Sequence, residues 1–133
     1  MKQLNSYKAF VVILLVVALI GCQKFEPVTC EITSCVSDGT DMTGSARITD
    51  DGGTSHFAEQ GFCYSLYDTL SATDVYTTMV PVVYSTDSLA FSWSYNLPIA
   101  DTVYYVCAYV KNNAGIAYSK SKKISTSTNN TSK

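Results

Sequence analysis

The stretch SLAFSWSYNL, residues 88–97, alternates strictly between large apolar residues and small or polar ones. Leu89, Phe91, Trp93 and Tyr95 occupy one set of positions, and serine, alanine and asparagine fill most of the other. Because successive side chains of a β-strand point to opposite faces, this period of two predicts a strand with one face in a hydrophobic core. The expected core-facing side chains are the four large apolar ones.

Further strand-like segments lie on both sides of this one. They cover residues 28–36, 42–49, 57–65, 75–84, 102–111 and 116–124. Glycine, aspartate and asparagine fill the turns between them, most clearly in DDGGTS at 50–55. Pro81 cannot donate a ladder hydrogen bond, so the segment 75–84 is predicted to be an edge strand. Seven strands in about 100 residues, without a helical segment, predict a single all-β, antiparallel seven-stranded β-sandwich.

The composition excludes one class of partner. The 133-residue chain is long enough for one ordinary domain. Charged residues make up 15% of it and the formal net charge is −2, whereas a nucleic-acid binder needs a clustered excess of lysine and arginine. The sequence therefore predicts no nucleic-acid partner.

The first 21 residues are typical of an export signal. Lys2 and Lys8 lie in a polar start, and AFVVILLVVALI at 9–20 is almost wholly apolar. A membrane-spanning helix needs about 20 residues, so this run is short for a span but has the length of a signal-peptide core. The alternative is a short single-span anchor.

The end of this segment, Leu19-Ile20-Gly21-Cys22, resembles the bacterial lipobox. The resemblance implies cleavage before Cys22, diacylglycerol on the Cys22 sulfur and acylation of the new amine. Two or three acyl chains, at about 0.8 kcal/mol per buried methylene, hold a protein firmly to a membrane. We therefore expect residues 1–21 to be a lipoprotein signal peptide and residues 22–27 a lipidated tether.

The residues after Cys22 bear on the destination of the exported chain. Gln23 in place of aspartate resembles the enterobacterial signal for the outer membrane. QKFE at 23–26 loosely resembles the tether that directs lipoproteins of Bacteroidetes to the cell surface. We expect anchoring to the outer membrane, and the surface face is favoured over the periplasmic one.

Two segments resemble a known domain family. EQGFCYS at 59–65 and TVYYVCAY at 102–109 resemble the GFCYS and TYYVRAY signatures of fibronectin type III-like domains, an immunoglobulin-like fold common in Bacteroidetes lipoproteins. NNAG at 112–115 and DDGG at 50–53 continue the resemblance, which covers about residues 28–127 and leaves 128–133 as a polar tail. It implies that the third and sixth strands are neighbours, with Tyr105, Cys107 and Tyr109 on the outer face.

The resemblance also suggests a pairing for the cysteines. The chain has five, and lipidation of Cys22 leaves four. Cys63 and Cys107 would lie on the outer face of neighbouring strands at disulfide distance, so they are a candidate pair; the alternative is two shielded free thiols. Cys30 and Cys35 would face opposite sides of a straight strand, and only a bend or bulge would let them bond.

Motifs for catalysis or metal binding are lacking in the sequence. The single histidine, His56, lies in the glycine-rich loop, and a catalytic or metal-binding histidine needs convergent partners. No zinc, nucleophile-elbow or phosphate-loop pattern occurs. We expect no enzyme activity, no metal and no cofactor.

Three tyrosines are the candidate binding face. Tyr105, Tyr109 and Tyr118 are expected on one outer surface, where exposed tyrosines often contact ligands. Such a face would stack on sugar rings or receive a protein; the alternative is ordinary strand tyrosines that cover a sheet.

Three triplets resemble the Asp-Ser/Thr-apolar acceptor that Bacteroidetes use for O-glycosylation. They contain Thr69, Ser88 and Thr102, each expected at a loop or strand end.

These features together predict a non-enzymatic, lipid-anchored binding or structural module on the outer membrane or cell surface. The alternative is an accessory carbohydrate-binding lipoprotein of a glycan-uptake system that uses the tyrosine face. The partners expected are the membrane, through Cys22, and an unidentified protein or glycan.

Overall fold

A computed structural model of the protein describes residues 26–54, 56–70, 73–86 and 88–127. The expected signal peptide, Cys22, most of the tether and the polar tail lie outside the described residues. The described part contains eight β-strands and no helix. The strands are β1 (Thr29–Asp38), β2 (Asp41–Asp50), β3 (Phe57–Ser65), β4 (Thr78–Thr86), β5 (Ala90–Asn96), β6 (Val103–Asn112), β7 (Gly115–Tyr118) and β8 (Lys122–Ser125).

The strands form two antiparallel sheets that face each other across one hydrophobic core. One sheet has the order β1-β2-β5, and the other has the order β4-β3-β6-β7, with β8 also paired to β6. β7 pairs with residues 109–112 of β6 and β8 with residues 103–106. Together β7 and β8 occupy the place of the single last strand expected at 116–124.

Ser119 explains the break between β7 and β8. Its hydroxyl oxygen accepts a hydrogen bond from the backbone N–H of Ala108 at 2.9 Å. Its own N–H donates to the carbonyl of Ala108, also at 2.9 Å. A side-chain oxygen thus takes the position of a backbone acceptor in the ladder, and the regular pairing resumes only at Lys122.

The alternating stretch at 88–97 contributes to the core largely as expected. Phe91 and Trp93 are buried and Tyr95 packs against the core from its border. The indole of Trp93 lies directly over Gly44 on β2, where a methyl group would overlap the ring. The expectation for Leu89 is wrong: it is 55% exposed, because β5 begins only at Ala90 and Leu89 lies in the turn before it.

β4 is an edge strand, as Pro81 predicts, but it begins later than expected. Pro81 lies opposite Gly61, next to a bulge between Gln60 and Gly61. Val75 and Tyr76, which the sequence placed in this strand, belong instead to the loop before it. Their exposure is 88% and 66%, respectively.

The direction of the strands separates two ends of the domain. At the end that we call proximal, the Glu26 N–H donates to the Gly52 carbonyl at 3.0 Å, and the side-chain amide of Asn112 donates to the Glu26 carbonyl at 3.2 Å. The opposite, distal end carries the loops 39–40, 66–77 and 97–102. Its loops are joined by bonds such as the one from the Leu97 N–H to the Thr40 carbonyl, at 2.8 Å. Glu26, the first described residue, therefore lies at the proximal end.

Candidate functional site

Cys63 and Cys107 lie directly opposite each other on β3 and β6 and are joined by a disulfide. Their Cα atoms are 5.4 Å apart, within the range that a disulfide requires. Neither side chain belongs to the core between the sheets, yet both are 0% exposed. Neighbouring side chains therefore cover the centre of the outer face of the larger sheet.

Tyr109 helps to explain this cover. Gly61 is opposite Tyr109 in the ladder, and a Cβ on Gly61 would lie 2.8 Å from the Cε1 atom of Tyr109. The missing side chain lets the tyrosine ring lie close to the strand, and the Tyr109 hydroxyl donates to the Glu59 carboxylate. The ring is 0% exposed.

The expectation of an exposed tyrosine face is therefore wrong at Tyr109. Tyr105 and Tyr118 are half-buried. Tyr118 pairs with Tyr109 across β6 and β7, whereas Tyr105 lies four residues along β6, about 13 Å away at the usual strand rise. These three tyrosines do not form one open surface. Alternation identified the outer face of the sheet but not that Tyr109 is buried on it. The signal for this burial is a glycine that pairs opposite an aromatic residue.

Cys30 and Cys35 are both free thiols. A bulge between Ile32 and Ser34 does occur, and it turns both side chains toward the core side, where Cys30 is buried and Cys35 lies at the border. The disulfide considered for this pair is nevertheless wrong, because five residues of extended strand separate the two thiols by about 16 Å. Burial raises the pKa of Cys30 to about 11.

The candidate glycosylation sites differ in how their hydroxyls are engaged. Thr69 is exposed in a distal loop. The Ser88 hydroxyl, at the proximal end, donates to the Ala90 carbonyl at 2.6 Å. The Thr102 hydroxyl donates to the Ala100 carbonyl at 3.0 Å. Of the three hydroxyls, that of Thr69 makes no hydrogen bond to another described residue.

His56 lies exposed in the proximal loop, where its backbone exchanges hydrogen bonds with the Thr54 side chain. The described residues contain no group of three histidine, cysteine, aspartate or glutamate side chains that would hold a metal ion. They also contain no helix of the length and apolar character needed to cross a membrane.

The distal end carries a cluster of exposed apolar side chains that the sequence reasoning did not identify. We call it the distal patch: Leu66, Tyr67, Val75, Tyr76 and Ile99. Their exposure ranges from 44% for Leu66 to 88% for Val75. The signal was present in the sequence, since the connection 66–76 contains two tyrosines and three other large apolar residues beside its polar ones.

The distal patch has a defined shape. The rings of Tyr67 and Tyr76 meet edge to face, with centroids 5.2 Å apart and planes at 62°. Beside Tyr76 a cleft of about 180 Å³ opens between the loop that contains Tyr76 and the loop 97–102. Its lining includes Tyr64, Leu66, Pro98, Ile99 and Tyr104.

Hydrogen bonds fix the tyrosines that line this cleft. The Ile99 N–H donates to the Tyr104 hydroxyl at 3.1 Å, which ties the loop 97–102 to β6. The hydroxyls of Tyr64 and Tyr95 lie 3.4 Å apart. Burial, followed by the contact with Tyr95, raises the pKa of Tyr64 to about 12. The lining contains no aspartate, glutamate, lysine, arginine or histidine.

Aspartates are the charged residues in the loops of the distal patch. Asp68, Asp74 and Asp101 lie in its loops, and Asp38 and Asp41 flank the neighbouring turn. The described parts of these loops and turn contain no lysine or arginine. Asp68 accepts a hydrogen bond from Ser121 and Asp74 from the Tyr76 N–H. These loops are thus acidic, and the lysines nearest to them in the fold flank Ser121, the partner of Asp68. The lining of the cleft contains no charged side chain.

A second cavity, of about 360 Å³, lies at the side of the sandwich. Its lining includes Cys30, Ile32, Lys120 and Lys122, from β1 and from the region of the break between β7 and β8. It is distinct from the distal patch.

A comparison with protein-family models found no match, and neither did a search of the curated proteins.

Proposed function

We propose that the chain is a non-enzymatic, lipid-anchored binding module that presents its distal patch away from a membrane. The observation that carries the proposal is the placement of the patch. Five large apolar side chains are exposed at the end of the domain opposite Glu26, and Cys22, the proposed lipid attachment site, precedes Glu26 by only four residues.

The exposed area itself argues for binding. Soluble domains rarely expose contiguous apolar patches larger than a few hundred Å², and large patches rimmed by polar residues are typical of interaction sites. The distal patch has this form: an apolar centre with an acidic rim. A purely structural role would leave these side chains without a reason to be exposed.

The finer description of the fold is part of the same proposal. We assign the domain to the immunoglobulin-like, fibronectin type III-like sandwiches found in Bacteroidetes lipoproteins. The strand order supports this, if β7 and β8 are counted as one interrupted strand: three strands, β1-β2-β5, face four, β4-β3-β6-β7/β8. The location proposed is the outer membrane, with the domain at the cell surface.

Fractionation of the native host tests the anchor. The wild-type chain is expected in the membrane fraction and to incorporate labelled palmitate, while Cys22→Ala is expected to lose the label and leave the outer membrane. Protease or a membrane-impermeant label applied to intact cells distinguishes the surface face from the periplasmic face. Equal distribution and equal labelling of wild type and variant would contradict the proposal.

The second candidate function is carbohydrate binding by an accessory lipoprotein of a glycan-uptake system. The observation that favours it is the pair of exposed tyrosine rings at the distal patch, since aromatic faces pack against apolar surfaces and leave a polar group free. It would use Tyr67 and Tyr76 rather than the buried Tyr109. Binding of neutral oligosaccharides by wild type but not by the double variant Tyr67→Ala, Tyr76→Ala would support it.

A further inference from the structure

We propose that the distal patch binds a basic segment of a partner protein, with a lysine or arginine side chain held against Tyr67 and Tyr76. The inference rests on the proposed binding function and adds the chemistry of the partner. Three features of the patch support the inference: exposed aromatic rings, a small cleft without charged side chains, and aspartates in the surrounding loops.

The aromatic rings provide one part of the recognition. Tyr67 is 55% exposed and Tyr76 is 66% exposed. A cation over the face of a tyrosine ring is attracted by the ring quadrupole, by about 0.5–1 kcal/mol at exposed sites and more where water is removed. Because the two rings meet edge to face, each holds the other in place while an open face of the pair remains available.

The size of the cleft argues for a protruding side chain. It measures about 180 Å³, below the ~300–1,000 Å³ of pockets that enclose a drug-sized ligand. One side chain of a partner fits such a space, and Leu66 and Ile99 beside it offer apolar contact to the neighbouring residues of the same segment. Most of the binding surface is therefore the open patch around the cleft.

The charges determine which segment fits. Five aspartates, residues 38, 41, 68, 74 and 101, lie at the distal end, whereas the whole chain has a net charge of only −2. Among the described residues, the ion pair that forms joins Arg47 and Glu31 on the other sheet. The carboxylates at the rim thus attract a cationic partner and repel an acidic one.

Binding of matched peptides to the full chain in nonionic detergent tests the proposal. The probes are three short dye-labelled peptides with leucine at alternate positions and lysine, glutamine or glutamate between them, measured by fluorescence anisotropy. The lysine peptide is expected to bind most tightly and the glutamate peptide least. Raising the ionic strength from about 0.01 M to about 0.15 M shortens the screening length from about 30 Å to about 8 Å and should weaken the lysine peptide selectively.

Variants locate the binding. Tyr67→Ala with Tyr76→Ala should weaken the lysine peptide about tenfold, from the loss of two cation–aromatic contacts. Asp74→Asn with Asp101→Asn should weaken it by about three- to tenfold at low ionic strength. The matched controls are Asp50→Asn with Asp51→Asn at the proximal end, which removes the same charge, and Tyr105→Ala with Tyr118→Ala. Both controls should bind as wild type does.

Three results would overturn the proposal. They are equal binding of the three peptides, equal loss of binding in the distal and control variants, and binding of a neutral oligosaccharide through Tyr67 and Tyr76 with none of the lysine peptide. The last result would leave the proposed binding function intact. Failure of the Cys22 fractionation test would remove the anchoring instead, without affecting these solution measurements.

Discussion

Gly61 and Tyr109 pack closely against each other on the outer face of the larger sheet. The position of a Cβ on Gly61 is occupied by the Val80 carbonyl, the Tyr109 ring and the Pro81 backbone. Two of these three obstacles are backbone atoms of β4, which do not move unless β3 and β4 separate. The residue is therefore required by packing rather than by its own backbone angles.

We expect Gly61→Ala to lower the free energy of unfolding by about 3 kcal/mol, the upper part of the usual range for overpacking. Urea unfolding followed by Trp93 fluorescence measures the change. Adding Tyr109→Ala should restore little stability, because the Val80 carbonyl still blocks the methyl group. A Gly61→Ala variant within about 0.5 kcal/mol of wild type would contradict this fit.

Cys30 makes the stability depend on alkaline pH. Its pKa is raised by burial from 9.0 to about 11, so between these values the unfolded chain loses the thiol proton and the folded chain keeps it. The contribution is complete below pH 9 and is lost as the pH rises toward 11. Burial also raises the pKa of Cys35, which acts in the same direction.

The urea midpoint should therefore fall between pH 9 and pH 11, the interval bounded by the two values for Cys30. The decrease of the urea midpoint with pH should be less steep in Cys30→Ala. This variant is also less stable at neutral pH, because the substitution leaves a small cavity. An unchanged slope in Cys30→Ala would show that Cys30 does not contribute to it. Cys35→Ala serves as the comparison, since that thiol lies at the border of the core.

At the scale of elements, the disulfide joins two strands that already pair. Cys63 and Cys107 are separated by 44 residues in sequence, and closing a loop of this length in the unfolded chain stabilises the folded state by up to about 4 kcal/mol. The loop includes β4 and β5, so the link restricts much of the unfolded chain.

Replacing both cysteines by alanine should lower the free energy of unfolding by about 2–4 kcal/mol. Reduction of the wild-type protein with dithiothreitol should cause a similar loss, whereas the double variant should not respond to the reductant. The matched control, Cys30→Ala with Cys35→Ala, should still respond. Reductant-insensitive unfolding of the wild type would indicate that the link is absent.

The elements also show how far the sequence specifies the fold. The strand predicted at 57–65 has the observed bounds of β3, and the alternating stretch at 88–97 begins two residues before β5. Alternation accounts for β5, because a strand with one buried face needs period two. Alternation did not predict the features that depend on contacts outside the strand. Val75 and Tyr76 pair with nothing in the sheet, and the Ser119 side chain interrupts the ladder beside β6. Such features depend on partners that are distant in sequence.

At the scale of the whole molecule, the two ends carry different surfaces. Strands of up to ten residues, at about 3.3 Å per residue, place the distal loops roughly 30 Å from the proximal ones. No local pattern predicts this separation of the distal patch from Glu26, because it depends on which strand ends meet. The tyrosine face was misplaced for the same reason, since burial of Tyr109 arises from a residue on another strand.

Fluorescent labels at the two ends test the orientation. A dye on Asn113→Cys at the proximal end of the lipidated protein in vesicles should be quenched by headgroup-attached quenchers more than a dye on Val75→Cys at the distal end. Protein without an added cysteine, with Cys30 and Cys35 buried or half-buried, measures the background labelling. Equal quenching at both positions would mean that the domain lies flat on the membrane.

The irregularities along the sheet edges have a further consequence for the proposed anchoring of many copies to one surface. There, copies meet side by side, and an unbroken outer strand would invite a neighbour to extend the sheet. β1 is bulged near Thr33, β4 carries Pro81, and the edge formed by β7 and β8 is broken at Ser119 and followed by Lys122 and Lys123. Three of the four outer strands thus resist lateral polymerisation, which would keep each copy separate in a crowded two-dimensional layer with its distal loops accessible.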